Sequence, residues 1–147
     1  MKLLIISDIH GNLENLKKVV KLHKDADHIL CAGDIGLSKV DVEKYNVIAV
    51  KGNCDYYLDM PLERILDLGD KKILLTHGHL ENVKYGIDAL IHKAKSHGVD
   101  IVCFGHIHYP ILKEIDNILF INPGALSDIK GQYAIYENGV VSFYELY

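Results

Sequence analysis

Lys2-Leu3-Leu4-Ile5-Ile6-Ser7-Asp8-Ile9-His10-Gly11 opens the chain with an apolar run that ends abruptly in a carboxylate and an imidazole. Leu3 to Ile6 is uninterrupted by polar groups, the pattern of a β-strand covered on both faces. The next segment reads as a helix. Asn12 can cap a stretch over Leu13–His23, whose apolar positions Leu13, Leu16, Val19 and Val20 keep to one face. Further strands are expected at Ile29–Ala32 and Val47–Val50, and Arg64–Leu68 and Lys72–Thr76 flank the turn signal Gly69-Asp70. A second helix fits Tyr85–His97, with Gly98 as a left-handed cap. Asp100–Phe104 reads as another buried strand. The last third is strand and turn: Ile111–Ile115, Asp116-Asn117, Ile118–Ile121, then Tyr133–Tyr136, Asn138-Gly139 and Val140–Tyr144. A parallel-looking front half and an antiparallel back half do not share one short sheet. The expectation is an α/β domain over residues 1–147 with two stacked mixed sheets and helices outside.

The same strand-end pattern recurs along the chain. Ile29–Gly33 runs into Asp34, Val47–Gly52 into Asn53-Cys54-Asp55, Ile73–Thr76 into His77-Gly78-His79, and Ile101–Gly105 into His106-Ile107-His108. Ligands of α/β sheets bind beyond the carboxyl ends of the strands. If these strands are parallel, all the clusters share one edge. Spacing two residues apart, as in Asp8/His10 and His106/His108, turns both side chains to one face of an extended chain. A lone Asp or His at a strand end is ordinarily a cap or a solvated loop group. The recurrence at successive strands is what points to a metal centre. Imidazole, carboxylate and carboxamide oxygen together suit Mn, Ni, Fe or Zn better than Ca or Mg. The set is larger than one ion needs. Two divalent cations, two carboxylates and one hydroxide would leave a residual charge of about +1, suited to a phosphate ester.

Composition narrows the alternatives. The chain has 147 residues, a formal net charge of −4 from 16 basic and 20 acidic side chains, and no run of like charges approaching five or six residues. That argues against long nucleic acid as a partner. Cys31, Cys54 and Cys103 form no C-x-x-C pair and suit a reducing, cytoplasmic setting. The leading apolar run is too short for a signal peptide, which needs about 7–15 residues, and no stretch reaches the ~20 of a membrane span. Of nine histidines, His23, His28, His92 and His97 read as structural or solvated. Asn122-Pro123-Gly124 reads either as support for the site or as an ordinary turn. Tyr56, Tyr57, Tyr144 and Tyr147 are candidates for an association surface between copies of the chain.

Asp8-x-His10, Gly33-Asp34, Gly52-Asn53-x-Asp55, Gly78-His79 and Gly105-His106-x-His108, in this order, resemble the motifs of the calcineurin-like metallophosphoesterases. The resemblance implies a four-layer α/β/β/α sandwich and a dinuclear centre. Asp8, His10, Asp34 and His108 would hold one cation, and Asp34, Asn53, His77 and His106 the other. A metal-bridging hydroxide would then attack phosphorus in line. Asp34, Asn53, Cys54, Asp55 and His79 are the candidate catalytic residues, His79 through substrate contact or ligand orientation. Many members carry histidine where this chain has Cys54, and the Gly-Asn-Cys-Asp variant is similar to a small bacterial and archaeal phosphodiesterase subgroup. A thiol is a weaker acid than imidazolium, which favours small diesters with good leaving groups, aryl or nucleotide-like. Selectivity would come from loops 36–41, 56–61 and 80–85. The rival reading is a non-catalytic protein-binding scaffold, because the small subunit of the eukaryotic retromer complex resembles the same subgroup. A Cys54-based hydrolase lacks a local nucleophile signature and leaves four histidines unexplained, whereas a redox metalloprotein is a further reading that the same ligands allow.

Overall fold

The computed structural model describes residues 1–147. Period-two alternation within each strand builds its layers. In β1 (Lys2–Ile6), Leu4 and Ile6 face a helical layer while Leu3 and Ile5 face the second sheet. β2 (His28–Cys31) and β3 (Val47–Ala49) extend the same sheet in parallel, β2 beside β1 and β3 beside β2. The chain then crosses to the other sheet. β4 (Glu63–Leu68) and β5 (Lys71–Thr76) form a hairpin there, and β6 (Ile101–Cys103) runs parallel to β5. β7 (Pro110–Ile115) and β8 (Ile118–Pro123) follow, with β8 parallel to β6. β9 (Gln132–Glu137) and β10 (Val140–Glu145) return to the first sheet. The orders are β10-β9-β1-β2-β3 and β4-β5-β6-β8-β7.

α1 (Leu13–Leu22) and α2 (Lys39–Lys44) cover the outside of the first sheet through Leu16, Val19 and Val42. α3 (Asp88–His97) covers the second through Leu90 and Ala94, against Leu74, Val102 and Phe120. Between the sheets lie Leu3, Ile5, Leu30, Ile73, Leu75, Ile101, Cys103 and Ile121. The expected four-layer α/β/β/α arrangement of two mixed sheets is therefore the one observed. No helix is long and apolar enough to cross a membrane.

The differences are local. Asn12 caps α1 as expected, its side chain accepting from the Asn15 amide at 3.0 Å. α3 starts at Asp88 rather than Tyr85, because Gly86 at φ 130° breaks the helix and two short 3-10 turns, His79–Glu81 and Val83–Tyr85, precede it. α2 lies where a loop was expected. Its signal is Ser38, whose Oγ accepts from the Asp41 amide at 3.2 Å. Asp116-Asn117 and Asn138-Gly139 have positive φ at both residues, as a tight hairpin turn demands. His23 is held by Tyr133, Nε2 to hydroxyl at 2.9 Å. Three of the four candidate association tyrosines have partners elsewhere in the fold: Tyr57 donates to the Leu37 carbonyl, Tyr144 stacks on Tyr133, and Tyr147 donates to Asn15.

Cys31 and Cys103 are fully buried and Cys54 is exposed. Burial pushes the Cys103 thiol up to about 12 and raises Cys31 further. A maleimide reagent at mildly alkaline pH is expected to modify only Cys54 in the native protein and all three cysteines in guanidinium, read by intact mass. Modification of a second native thiol would contradict this packing.

Candidate metal centre

Backbone pairing continues past the strand ends and carries the polar residues into register. The Asp8 amide donates to the Gly33 carbonyl at 2.9 Å and the His10 amide to the Asp34 carbonyl at 3.0 Å. On the other sheet, the Gly105 amide donates to the His77 carbonyl at 3.1 Å. Two bonds then cross between the sheets. His77 Nδ1 meets the Ala32 carbonyl at 2.7 Å, and the His106 amide donates to Asp8 Oδ2 at 3.1 Å. The carboxyl edges of both sheets thus meet at one place.

Two groups of donor atoms result, each within 4.8 Å: Asp8, His10, Asp34 and His108 in one, Asp34, His77 and His106 in the other. Asp34 belongs to both. His108 Nε2 is 3.0 Å and His10 Nε2 3.6 Å from Asp8 Oδ1, and His10 Nε2 is 3.7 Å from Asp34 Oδ2. In the second group His77 Nε2 is 3.3 Å from Asp34 Oδ2 and 3.2 Å from His106 Nδ1. Because a carbonyl only accepts, the contact with Ala32 assigns the His77 proton to Nδ1 and turns Nε2 toward Asp34.

The donor set fits a cation. Asp8 is fully buried and its Oδ1 has no hydrogen-bond partner, although it faces two imidazoles. An unpaired buried carboxylate oxygen is costly unless a positive charge is nearby. In the protein alone, protons partly meet that need. Burial opposes charging of both Asp34 and His77, yet their mutual hydrogen bond wins, so the Asp34 carboxyl is held far below its usual range and the His77 imidazole is raised. Divalent ions would compete with that proton for the same lone pairs. Burial, then His77, lowers His106 and His79.

The paired spacings do not work through extended strands. Asp8, His10, Asp34, His106 and His108 all have positive φ, between 44° and 75°. Left-handed backbone at a non-glycine residue costs of order 1–3 kcal/mol and persists only where the surroundings enforce it. Here the enforcing contacts are the Ser7 hydroxyl, 2.6 Å from Asp8 Oδ2, and the inter-strand bonds at the sheet edges. Glycines make the close approach: a Cβ on Gly105 would strike Ser7 Oγ and Asp8 Oδ2, and one on Gly52 would strike the Asp34 carboxylate.

The remaining candidates divide. The Cys54 amide donates to Asp34 Oδ1 at 2.9 Å, so this residue holds the shared carboxylate through its backbone. Its thiol is exposed, and burial followed by Asp34 raises its pKa. Asn53 is exposed, with Nδ2 3.7 Å from Cys54 Sγ. Asp55 is fully buried and commits both oxygens to backbone amides of Ile35, Gly36 and Gly52. It ties the loop after β2 to the loop after β3. The His79 ring lies beside His77, 5.4 Å between centroids, and 6.3 Å from His106. Asn122 donates to the Gly105 carbonyl at 2.9 Å, beside the loop that carries His106, and accepts from the Gly124 amide as in an ordinary Asx turn, so both of its expected features are present. Sequence reasoning missed Ser7, whose contact with Asp8 has no spacing signal.

Two stacked sheets whose carboxyl edges meet around a shared carboxylate and clustered imidazoles form a candidate metal centre. The chain belongs to the calcineurin-like phosphoesterase superfamily, whose domain matches residues 1–138. It is 38% identical to a probable metallophosphoesterase, YsnB of Bacillus subtilis, over 86% of this chain and 75% of that one. It is 30% identical to the phosphodiesterase YfcE of Escherichia coli, covering 97% and 90%. Its fold superposes on a crystal structure from Streptococcus pneumoniae, described as a predicted phosphoesterase, with TM-score 0.84, 26% identity and coverage of 98% and 97%. It also shares the fold of Vps29 from Entamoeba histolytica at TM-score 0.78 and 21% identity, over 98% and 97% of the two chains.

Adding manganese to chelator-treated protein should raise Tm by about 5–10 °C at a hundredfold excess over Kd. Gly105→Ala should keep the circular dichroism spectrum and lose most of that shift. An unchanged shift in this variant would show that the close approach at Gly105 does not shape the centre.

Proposed function

We propose that this protein is a dinuclear metal-dependent phosphodiesterase acting on small or nucleotide-like phosphodiesters. The observation that carries the reading is the sharing of Asp34 between two donor groups. In this reading Asp8, His10, Asp34 and His108 hold one divalent cation and Asp34, Asn53, His77 and His106 the other. Mn, Ni, Fe or Zn suits the mixed imidazole and oxygen donors. When bound, a cation pair lowers the pKa of water and offsets charge on phosphoryl oxygens.

The chain's own residues prepare that chemistry. Ala32 fixes the His77 ring so that Nε2 faces Asp34. The Cys54 amide fixes Asp34 Oδ1, leaving Oδ2 toward both histidine groups. Ser7 and the His106 amide fix Asp8 Oδ2 and leave Oδ1 free of hydrogen bonds. Asp55 sets the two loops that carry Asp34 and Asn53. The exposed Cys54 thiol is a weaker proton donor than an imidazolium, so esters whose leaving group departs as a stable anion fit better than alkyl monoesters. The relatives' printed activities support phosphodiester chemistry. Three free cysteines fit a reducing, cytoplasmic compartment.

The test is metal-stripped protein assayed on a matched aryl diester and monoester, with Mn, Ni, Zn and Mg restored singly. Restoration of diester hydrolysis by Mn or Ni, in excess over the monoester, is the expected result. His77→Ala and Asp34→Asn should remove it, and Ser7→Ala should cost about 10–100-fold. Activity indifferent to stripping would overturn the reading. Absence of hydrolysis with every metal, joined to chelator-insensitive binding of a protein partner, would favour the scaffold alternative instead.

A further inference from the structure

α1 carries Lys17, Lys18 and Lys21, and Lys24 follows just past its end, in a protein whose formal net charge is −4. Glu14 on α1, Asp25 just after it and Glu145 at the end of β10 are each engaged by a different lysine. Glu14 lies 3.7 Å from Lys17, Asp25 2.8 Å from Lys2 and Glu145 3.7 Å from Lys130. Lys18, Lys21 and Lys24 have no carboxylate within ion-pair distance. The helix dipole accounts for a lysine in the last turn, but not for the surface these lysines border.

Lys18, Lys21 and Leu22 share one face of α1 by their helical spacing. With Leu146 and Tyr147 they line a groove of about 570 Å³. Leu22 is 63% and Tyr147 59% exposed. A single exposed leucine is ordinary, whereas here two leucines and a tyrosine meet in one concavity beside two ammonium groups. No acidic side chain lines it. The groove is also fixed in advance. The Leu146 amide donates to the Gly131 carbonyl at 3.0 Å and the Tyr147 amide to the Lys130 carbonyl at 3.1 Å. The Tyr147 hydroxyl donates to Asn15 Oδ1 at 2.6 Å and accepts from Lys18 Nζ at 2.7 Å. Lys18 keeps two of its three donors for another group. A surface already held in place binds with little ordering cost.

Charge and shape together select the occupant. Unpaired lysines call for carboxylates, and the leucines beside them call for an apolar side chain. A small ligand is ordinarily enclosed over roughly 70–90% of its surface, more than five lining residues of an open groove supply. A nucleic-acid backbone would meet the lysines but bring nothing apolar to the leucines. A bilayer surface is flat where the groove is concave. We propose that this groove docks an acidic segment of a partner protein. One apolar anchor, Leu, Ile or Phe, seats on Leu22, Leu146 and Tyr147, and flanking Asp or Glu side chains pair with Lys18, Lys21 and Lys24. Leu22 ends α1, about 13 Å along the axis from Leu13 at its start near the His10 loop. The docking surface is therefore separate from the metal centre and independent of the phosphodiesterase reading.

The experiment titrates the nitrogen-15-labelled full chain with fluorescein-labelled peptide pools, read by anisotropy and by amide NMR shifts. The first pool has a central Leu, Ile or Phe flanked on both sides by Asp and Glu. The second replaces the acids by Asn and Gln, and the third replaces the central residue by Ser. The first pool should bind and shift the amides of Leu22, Leu146 and Tyr147, and the other two should bind about 10-fold more weakly. Raising the ionic strength from about 0.1 to 1 M shortens the Debye length from about 10 to 3 Å and should weaken the first pool. Lys21→Glu and Leu22→Ser, both at exposed positions, should each weaken it about 10-fold with the circular dichroism spectrum unchanged. Lys113→Glu on β7 makes the same change of net charge and should leave binding within twofold. Failure of the first pool to bind overturns the proposal, as does binding indifferent to Lys21→Glu and Leu22→Ser. Tighter binding of oligothymidylate or of phosphatidylserine vesicles than of the first pool, lost in Lys21→Glu, overturns it in favour of a nucleic acid or a membrane. Hydrolysis is no part of the readout, so failure of the phosphodiesterase reading leaves this result standing.

Discussion

Everything near the reacting edge depends on two buried carboxylates, Asp8 and Asp34, that the fold surrounds with imidazole nitrogens. A carboxylate in that setting tolerates burial only with strong donors or cations nearby. The fold supplies donors to one oxygen of each. Ser7 and the His106 amide occupy Asp8 Oδ2, and the Cys54 amide occupies Asp34 Oδ1. The other oxygens face histidine nitrogens at 3.0–3.7 Å. This half-satisfied state would favour a positive charge at the site.

Holding such a state requires rigidity, and it is distributed over both sheets. The loops after β1 and β2 stay paired through backbone bonds, and those after β5 and β6 do likewise. Asp55 and Asn122 then act as internal braces, one in each sheet, by committing their side chains to backbone groups of neighbouring loops. Five left-handed non-glycine residues are tolerated because these contacts over-determine them. Strain and burial thus come from the same source, the meeting of two sheet edges.

Much of this was legible from residue types alone. Alternation in Leu3–Ile6, the Asn12 cap, the Gly69-Asp70 and Asn138-Gly139 turns and the strand-end polar residues all express local preferences, so the layers and the edge carrying the site follow from them. Other features were not legible. The unexpected α2 rests on one Ser38 cap and too few residues for a periodic stripe. The late start of α3 depends on the conformation of Gly86, which no spacing reveals. Asp55 has the residue type of a catalytic group and sits within a matching motif, yet its carboxylate is consumed by amides about 20 residues away or in its own loop.

The sequence by itself determined that this chain makes two kinds of buried strand surface and ends its strands in metal-competent side chains, because alternation, turns and caps act over a few residues. Tertiary structure alone decided which of those side chains share a centre. Asp8 and His106 lie 98 residues apart along the chain, as do His10 and His108, and only the stacking of two sheets brings them within bonding distance. It also decided that the paired spacings act through left-handed turns rather than extended strand, and that Glu81 is buried. Those outcomes depend on which backbone amides and lone pairs meet across the sheet interface, a matter of long-range geometry that no local pattern encodes.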